Sequence, residues 1–201
     1  GTLAEQDSID LYCRVRGISL TKNEERVNND YLSGIPDLYL GESVTNAEYI
    51  VDIKTPYDIE TYMCNLGKDL NPLYWWQIQG YLALSGAKVG EVAYCLTNTP
   101  EYVLNYEKIK LLNKMEVPTD DNILYKEKEK ELVNNLTFDD VPLEDRVIRF
   151  IVERNDEAID KIYKKVEKCR EYLSEIEELH HQRVLLATKV GESEENSEEM
   201  E

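Results

Sequence analysis

The hydrophobic pattern of residues 1–54 predicts a helix followed by a β-hairpin. Apolar side chains recur at helical spacing from Leu3 to Val15, and Gly17 follows as a stop signal. Residues 31–40 and 47–54 are rich in β-forming residues and are separated by a short polar turn. Two such runs joined in this way are typical of an antiparallel hairpin.

A second helix is predicted over residues 71–85. Asn71 is suited to cap this helix and Pro72 to begin it, and a glycine follows its last residue. The segment is apolar almost all round, so we expect it to be buried, with both of its tryptophans in the core. Residues 91–96 predict another strand. This alternation of helices and strands indicates an α/β or α+β core with mixed strands.

The rest of the chain has weaker patterns. Residues 102–115 and 123–136 have helical patterns, and residues 147–152 predict one more strand. Asn155 is suited to cap a long helix that has apolar residues three and four positions apart, at Ile159, Ile162, Val166, Cys169, Leu173 and Ile176. This stripe has two interpretations: it packs against the body of the protein, or it pairs with another chain.

Length and composition favour one globular domain over residues 1–190. The apolar content is 42%, no apolar run is long enough to cross a membrane, and no secretory signal pattern is present, so we expect a soluble, cytoplasmic protein. Residues 191–201 hold six glutamates and no base, which predicts an acidic, disordered tail. The four cysteines lack the spacing of a zinc site or a disulfide framework: Cys13, Cys64, Cys95 and Cys169.

The net charge of −18 argues against broad contact with nucleic acid, because phosphate binding needs clustered Lys and Arg. The tail carries six of the negative charges and leaves −12 for residues 1–190. A metal site needs only a few acids, so most of the acidic residues belong to a solvated surface, and any basic track is confined to one face. The charge therefore limits a nucleic-acid function without excluding it.

Two acids and a lysine on the hairpin are candidates for a catalytic metal site. Asp52 and Lys54 share one face at the end of a strand that is otherwise apolar on both sides. Asp37 lies on the preceding strand, so its carboxylate is expected to converge with that of Asp52 on one cation, beside the main-chain carbonyl of Ile53. Mg²⁺ prefers such oxygen ligands, and a bound cation neutralises a phosphate and activates water. Lys54 is placed to orient or deprotonate that water.

The order of these residues resembles the PD-(D/E)XK nuclease superfamily, and within it the phage lambda exonuclease and YqaJ-type viral recombinase group. Gly1-x-x-x-Glu5 ahead of a helix is similar to the first motif of that group. The other motifs are Gly34-x-Pro36-Asp37, Asp52-x-Lys54 and Gln77-x-x-x-Tyr81, the last of which resembles the RecB-type branch. The second acid is Asp where the superfamily more often has Glu. The clustered cysteines of the iron–sulfur members are missing from this sequence.

The resemblance implies a restriction-endonuclease-like α/β core, in which helices flank a mixed central sheet and a long helix lies near the C-terminus. The motifs fall within residues 1–97 of a nuclease domain that extends to residue 190. A helical insertion is expected over about 98–145, and a strand plus a long helix over about 146–185.

The resemblance also implies roles for the motif residues. Asp37, Asp52 and the carbonyl of Ile53 would bind the metal ion, with Glu5 near the metal or the end of the DNA. Lys54 would act on the attacking water. The helix that follows would contribute Gln77 and Tyr81 as supports for the phosphate or for the lysine.

The implied activity is that of a phage or prophage exonuclease that uses Mg²⁺ or Mn²⁺ and resects double-stranded DNA 5′ to 3′ for recombination. Its partners would be DNA ends, a single-strand annealing protein and further copies of the chain in a ring. Two alternatives stay open. One is an endonuclease of the same fold in restriction or repair. The other is a non-catalytic module that binds a protein partner through the long helix and the acidic tail.

Overall fold

The computed structural model describes residues 4–116 and 121–198, with side chains up to residue 183. Gly1 and Leu3, which belong to the predicted first motif and first helix, lie outside the described residues. In the part described, no helix is both long enough and apolar enough to span a membrane.

The described residues form six α-helices and seven strands. The helices are α1 (Glu5–Arg16), α2 (Ile59–Met63), α3 (Pro72–Ser85), α4 (Glu101–Lys114), α5 (Ile123–Leu136) and α6 (Asp156–Glu198), with a short 3-10 turn at Leu143–Arg146. The strands are β1 (Thr21–Lys22), β2 (Val27–Asn28), β3 (Ser33–Gly34), β4 (Leu38–Ser43), β5 (Asn46–Lys54), β6 (Val89–Cys95) and β7 (Val147–Glu153). These bounds confirm the predicted hairpin, the predicted strands over 91–96 and 147–152, and the two helices of the insertion.

The central sheet is mixed. Its strand order is β1-β4-β5-β6-β7, and β2 pairs with β3 in a separate two-stranded sheet. β5 and β6 are parallel, whereas the other neighbours in the large sheet are antiparallel. A parallel pair needs a crossover connection, and α3 lies within the segment that supplies it. The predicted α/β fold with a mixed central sheet is therefore confirmed.

Alternation along β5 gives the sheet an apolar layer on each face. Ile50 is buried in a cluster that includes Ile78 and Leu82 of α3. Val51 and Ile53 are buried in a second cluster, with residues of α1. Successive side chains of a strand point to opposite faces, so β5 is covered on both sides and positions its polar residues precisely.

The bounds of α3 follow from its end signals. The Asn71 side chain accepts a hydrogen bond from the Leu73 amide at 2.9 Å, and Gly86 adopts a left-handed conformation after the last helical residue. The expectation that this helix is buried all round is wrong, because Leu73 is 74% exposed and Trp76 is 40% exposed. The helix packs against the sheet on one side, and its opposite side faces solvent.

A buried carboxylate pairs with a partly exposed arginine on the α1 side of the sheet. Glu91 on β6 is fully buried and accepts two hydrogen bonds from Arg149 on β7, at 2.7 and 2.6 Å. The Tyr49 hydroxyl on β5 donates a further hydrogen bond to Glu91. Burial, followed by the nearby Glu91 carboxylate, raises the pKa of the Tyr12 hydroxyl on α1. Glu91 therefore joins three neighbouring strands through polar contacts.

The chain divides into two compact units, Gly1–Asn155 and Asp156–Glu201. The boundary falls inside the single domain predicted over residues 1–190. α6 makes up the described part of the second unit and continues to Glu198, where disorder was predicted from residue 191. Extending an existing helix costs far less than starting one, and glutamate is a good helix former, so the acidic segment continues the helix.

Candidate active site

The two motif acids lie side by side at one end of the hairpin. Leu38 pairs with Val51 in antiparallel register, and the next residues along the two strands are Asp37 and Asp52. The Ile53 amide donates a hydrogen bond of 2.7 Å to Asp37 Oδ2, which fixes this carboxylate against β5. The hairpin register therefore brings together two acids that are fifteen residues apart in the sequence.

Asp52, Lys54, Gln77 and Tyr81 form a continuous polar chain. Lys54 Nζ lies 2.6 Å from Asp52 Oδ2 and donates a hydrogen bond of 3.3 Å to Gln77 Oε1. The Gln77 amide nitrogen donates to Asp52 Oδ1 at 3.3 Å and to the Tyr81 hydroxyl at 3.0 Å. Gln77 and Tyr81 are one helical turn apart on α3, so the helix holds both against the end of β5.

Residue 34, three positions before Asp37, is a glycine in close contact with Tyr81. A Cβ atom at Gly34 would lie 2.6 Å from Tyr81 Cε1 and 3.1 Å from Tyr81 Cδ1. Such distances leave no room for a methyl group unless the ring moves. The motif that carries Asp37 therefore also sets the position of Tyr81.

A residue that the sequence reasoning missed completes the surroundings of Lys54. The Tyr74 ring lies under the ammonium group, with Nζ 4.5 Å from the ring centroid. Tyr74 precedes Gln77 by three positions on α3, so the two side chains share a face of the helix. Helical spacing counted backward from the Gln77 motif would have found it.

Glu5 and Asp37 both line a cleft of about 450 Å³. Ile53 and Lys54 also line this cleft, and three tyrosines contribute to its lining: Tyr57, Tyr74 and Tyr94. The Glu5 carboxylate forms an ion pair with Lys22 at 3.4 Å. Glu5 therefore opens on the same space as Asp37, but it is not part of the hydrogen-bonded chain around Lys54.

Electrostatics make the paired acids costly to ionise. Burial, and then repulsion from Asp52, raises the pKa of Asp37 to about 6, against the opposing effects of the Ile53 amide and Lys54. Burial also raises the pKa of Asp52, although Lys54 opposes the shift. Asp52 is only 2% exposed. Two neighbouring carboxylates with raised pKa values, one buried and one half-buried, are the arrangement that a cation relieves.

The donor set fits a hard divalent cation. Asp52 Oδ2 makes the ion pair with Lys54 but no hydrogen bond of regular geometry, so this buried oxygen retains capacity to bind a metal ion. Asp37 and Ile53 line the adjoining cleft, so the Asp37 carboxylate and the Ile53 carbonyl would be the further oxygen ligands. No group of three or more His, Cys, Asp or Glu side chains with metal-binding geometry occurs among the described residues. Mg²⁺ suits such a sparse oxygen site, because it commonly keeps several waters.

Replacing Asp37 with Asn is expected to stabilise the metal-free protein above pH 6. The folded-state pKa of Asp37 is about 6, and its ordinary value is 3.8. Between these values the folded chain binds more protons than the unfolded chain, so the free energy of unfolding falls as the pH rises. The loss is complete about one unit above pH 6, and the uncharged Asn avoids a cost on the order of 3 kcal/mol. Urea unfolding in EDTA at pH 5 and pH 8 measures the effect.

Asp69→Asn is a matched control for this experiment, because Asp69 is exposed. It should change the free energy of unfolding equally little at both pH values. A destabilisation of Asp37→Asn that is the same at pH 5 and pH 8 would contradict the raised pKa of Asp37.

Solved structures of exonucleases share this fold. A phage-related exonuclease from Haemophilus somnus 129PT matches with a TM-score of 0.61 and 23% sequence identity, over 88% of this chain and 70% of that one. An alkaline exonuclease from Laribacter hongkongensis, LHK-Exo, matches with a TM-score of 0.58 and 18% identity, over 92% of this chain and 73% of that one. The structure of LHK-Exo in complex with dAMP gives a TM-score of 0.56.

The sequence itself matches no protein-family model and no curated protein. The likeness to these exonucleases is therefore one of fold. The chain has the fold of the phage-related and alkaline exonucleases, as the resemblance in its motifs predicted.

Proposed function

We propose that this protein is a metal-dependent deoxyribonuclease that digests double-stranded DNA from its ends, in the 5′ to 3′ direction. One observation carries the proposal. Asp37, Asp52 and Lys54 are gathered at the end of a hairpin and linked to Gln77, within a fold that known exonucleases share. Acidic oxygens beside a proton-bearing group are a combination that suits metal-assisted phosphodiester hydrolysis.

The metal ligands in this proposal are the carboxylates of Asp37 and Asp52 and the main-chain carbonyl of Ile53. When bound there, Mg²⁺ or Mn²⁺ would neutralise the scissile phosphate and lower the pKa of the attacking water. Glu5 borders the same cleft, and we assign it to the approach of the DNA end rather than to the reaction itself.

Lys54 is the group that we assign to proton handling. Its ammonium is held by Asp52 on one side, by Gln77 Oε1 on another and by the Tyr74 ring beneath it. These contacts hold the ammonium group in place beside the cleft that Lys54 lines. A proton donor fixed in this way orients the water. It also stabilises the charge that develops in the transition state, without reorganising during the reaction.

Gln77 is a positioning residue in this scheme. Its oxygen accepts from Lys54, while its nitrogen donates to Asp52 and Tyr81. These partners determine which end of the amide faces the lysine. Tyr81 acts one step further away, because its hydroxyl anchors Gln77.

The proposal extends to partners and surroundings. We propose a role in phage or prophage recombination in the cytoplasm of a bacterial host, beside a single-strand annealing protein. A ring of several copies would suit the strongly acidic chain, because a basic lining can be concentrated inside while the acids remain outside.

Digestion of end-labelled linear duplex DNA in Mg²⁺ or Mn²⁺ tests the function, with closed circular duplex DNA alongside. We expect the linear duplex to be digested, the circle to be spared, and a 5′ label to be released before a 3′ label. Lys54→Ala is the inactive control. EDTA should stop the reaction of the wild-type protein.

Each other outcome favours a different function. Cutting of the circle identifies an endonuclease of the same fold. No cleavage of any DNA, together with a thermal stability unaffected by Mg²⁺, identifies a non-catalytic module and overturns the proposal.

Gly34→Ala is expected to lower kcat about tenfold without altering the metal ligands. The new methyl group must displace the Tyr81 ring, which it would otherwise approach to 2.6 Å. Tyr81 then loses its hold on Gln77, and a small misplacement in an active site costs one to two orders of magnitude in rate. Steady-state cleavage of the linear duplex measures kcat and KM separately, and we expect KM to change little.

Gly80→Ala is the matched control, because Gly80 is adjacent to Tyr81 but has space for a side chain. A Cβ there would meet only Leu32 Cδ1, at 3.6 Å. This variant should retain wild-type kcat. An equal loss of kcat in the two variants would show that any added methyl group near Tyr81 lowers activity. Gly34 would then have no specific role.

A further inference from the structure

The middle of α6 carries an exposed apolar stripe. Tyr172, Leu173, Ile176 and Leu179 are each between 43% and 62% exposed. Their spacing of one, three and three positions places them on one side of the helix. Large apolar side chains grouped on one exposed side, rather than scattered singly, mark an interaction surface.

The charges on α6 fall into two consecutive blocks of opposite sign. The basic block, residues 161–170, contains five Lys or Arg and one Glu. The acidic block, residues 171–180, contains four Glu and no Lys or Arg. The lysines of the first block and the glutamates of the second are exposed. The helix is therefore strongly polarised along its axis where the apolar stripe begins.

We propose that α6 pairs antiparallel with α6 of a second copy of this chain. In a parallel pair the basic block of one copy would lie beside the basic block of the other, and the acidic blocks would also face each other. In an antiparallel pair each basic block lies along the acidic block of the partner copy. Only the antiparallel arrangement makes the charges complementary.

The apolar stripe suits the same arrangement. A two-fold axis between Arg170 and Glu171 brings Tyr172 and Leu173 of the two copies together at the centre of the pair. Ile176 and Leu179 then extend the contact toward the first half of the partner helix, where Val166 and Cys169 lie on the predicted apolar stripe. The two blocks together span about 30 Å of helix, which is long enough for several layers of packed side chains.

Sedimentation equilibrium of the full chain over a range of concentrations tests this pairing. Wild-type protein should self-associate, and the affinity should fall as the salt concentration rises. Replacing both Leu173 and Ile176 with Glu should abolish this pairing and reduce the assembly to the ring proposed above or to single chains. Circular dichroism of each variant verifies that the helix content is retained.

Charge reversal determines the direction of the pair. Reversing the basic block (Lys161, Lys164, Lys165 and Lys168 to Glu) or the acidic block (Glu171, Glu175, Glu177 and Glu178 to Lys) gives two blocks of predominantly the same charge, with Glu167 and Arg170 left unchanged. Either variant alone should raise the dissociation constant at least about tenfold. Reversing both blocks together should restore wild-type affinity, and an equimolar mixture of the two single-block variants should form a mixed pair.

Three results would overturn the inference. They are a wild-type chain that stays monomeric at the highest concentration, a stripe variant that associates as the wild type does, and a single-block reversal that leaves the affinity unchanged. The last result is the one that parallel pairing gives. The substitutions lie outside the candidate active site, so these results are independent of the cleavage experiment.

Discussion

Lys54→Ala is expected to lower the rate of DNA cleavage by at least about 10²-fold, because a positioned proton-transfer group contributes that much or more. Lys54 is the only described residue that contacts Asp52, Gln77 and the Tyr74 ring together. In Lys54→Ala, water would fill the space left by the lysine. Asp52, Gln77 and the Tyr74 ring would not hold that water in one orientation, so it would not replace the lysine. Single-turnover cleavage of linear duplex DNA at saturating Mg²⁺ measures the chemical step directly.

The stabilisation of the protein by Mg²⁺ distinguishes a catalytic role of Lys54 from a role in maintaining the metal site. In the wild type the Lys54 ammonium lies 2.6 Å from Asp52 Oδ2, so it competes with a metal ion for that oxygen. Lys54→Ala should therefore be stabilised by Mg²⁺ at least as much as the wild type, as measured by Tm with and without EDTA. Asp52→Asn should lose both cleavage and stabilisation by Mg²⁺.

Lys22→Ala is a matched control for the loss of a lysine near the cleft. Lys22 pairs with Glu5 and Glu24 but makes no contact with the hydrogen-bonded chain around Lys54. We expect this variant to lose far less activity than Lys54→Ala. Cleavage by Lys54→Ala at the wild-type rate would remove Lys54 from the mechanism.

Arg149→Met is expected to lower the free energy of unfolding by about 3 kcal/mol, which is the usual result of stripping a buried charge of its partner. Glu91 is fully buried, and Arg149 supplies two of its hydrogen bonds, at 2.7 and 2.6 Å. Without these two hydrogen bonds, Glu91 keeps the one from the Tyr49 hydroxyl. Urea unfolding at pH 7 measures the loss.

The double variant Glu91→Gln with Arg149→Met should recover much of that stability, because it removes the uncompensated charge along with its partner. Arg14→Met, a change at an exposed arginine on α1, should alter stability by less than about 0.5 kcal/mol. A double variant no more stable than Arg149→Met alone would show that the arginine stabilises the sheet by packing, not by pairing with Glu91.

Local signals explain why so much of the fold was predictable. Asn71, Pro72 and the glycine after Ser85 each act on the residues next to them, so they define α3 without knowledge of the rest of the chain. Alternation along β5 likewise assigns Ile50 to one face and Val51 to the other. The motif residues other than Gly1 and Glu5 lie between residues 34 and 81, and the register of a single hairpin brings the two acids together.

Long-range contacts explain what the sequence did not reveal. Nothing near Glu91 indicates that its partner, Arg149, lies fifty-eight positions away. The local sequence also does not reveal the contact of Gly34. A glycine shortly before a proline is more typical of a turn than of close contact with a tyrosine ring. The exposure of Trp76 depends on which side of α3 the sheet covers, and composition alone does not determine that side.

The position of β6 has a consequence for synthesis of the protein in the cell. All but the first residue of this strand are buried, and it lies between β5 and β7 in the sheet. β7 leaves the ribosome about 50 residues after β6, a delay on the order of 5 s at typical rates of translation. During that time the nascent chain presents an apolar strand with one open edge, which neighbouring chains can join. Aggregation during translation, rather than weakness of the finished fold, is therefore the expected limit on the yield of recombinant protein, and slower growth with added chaperone should raise it.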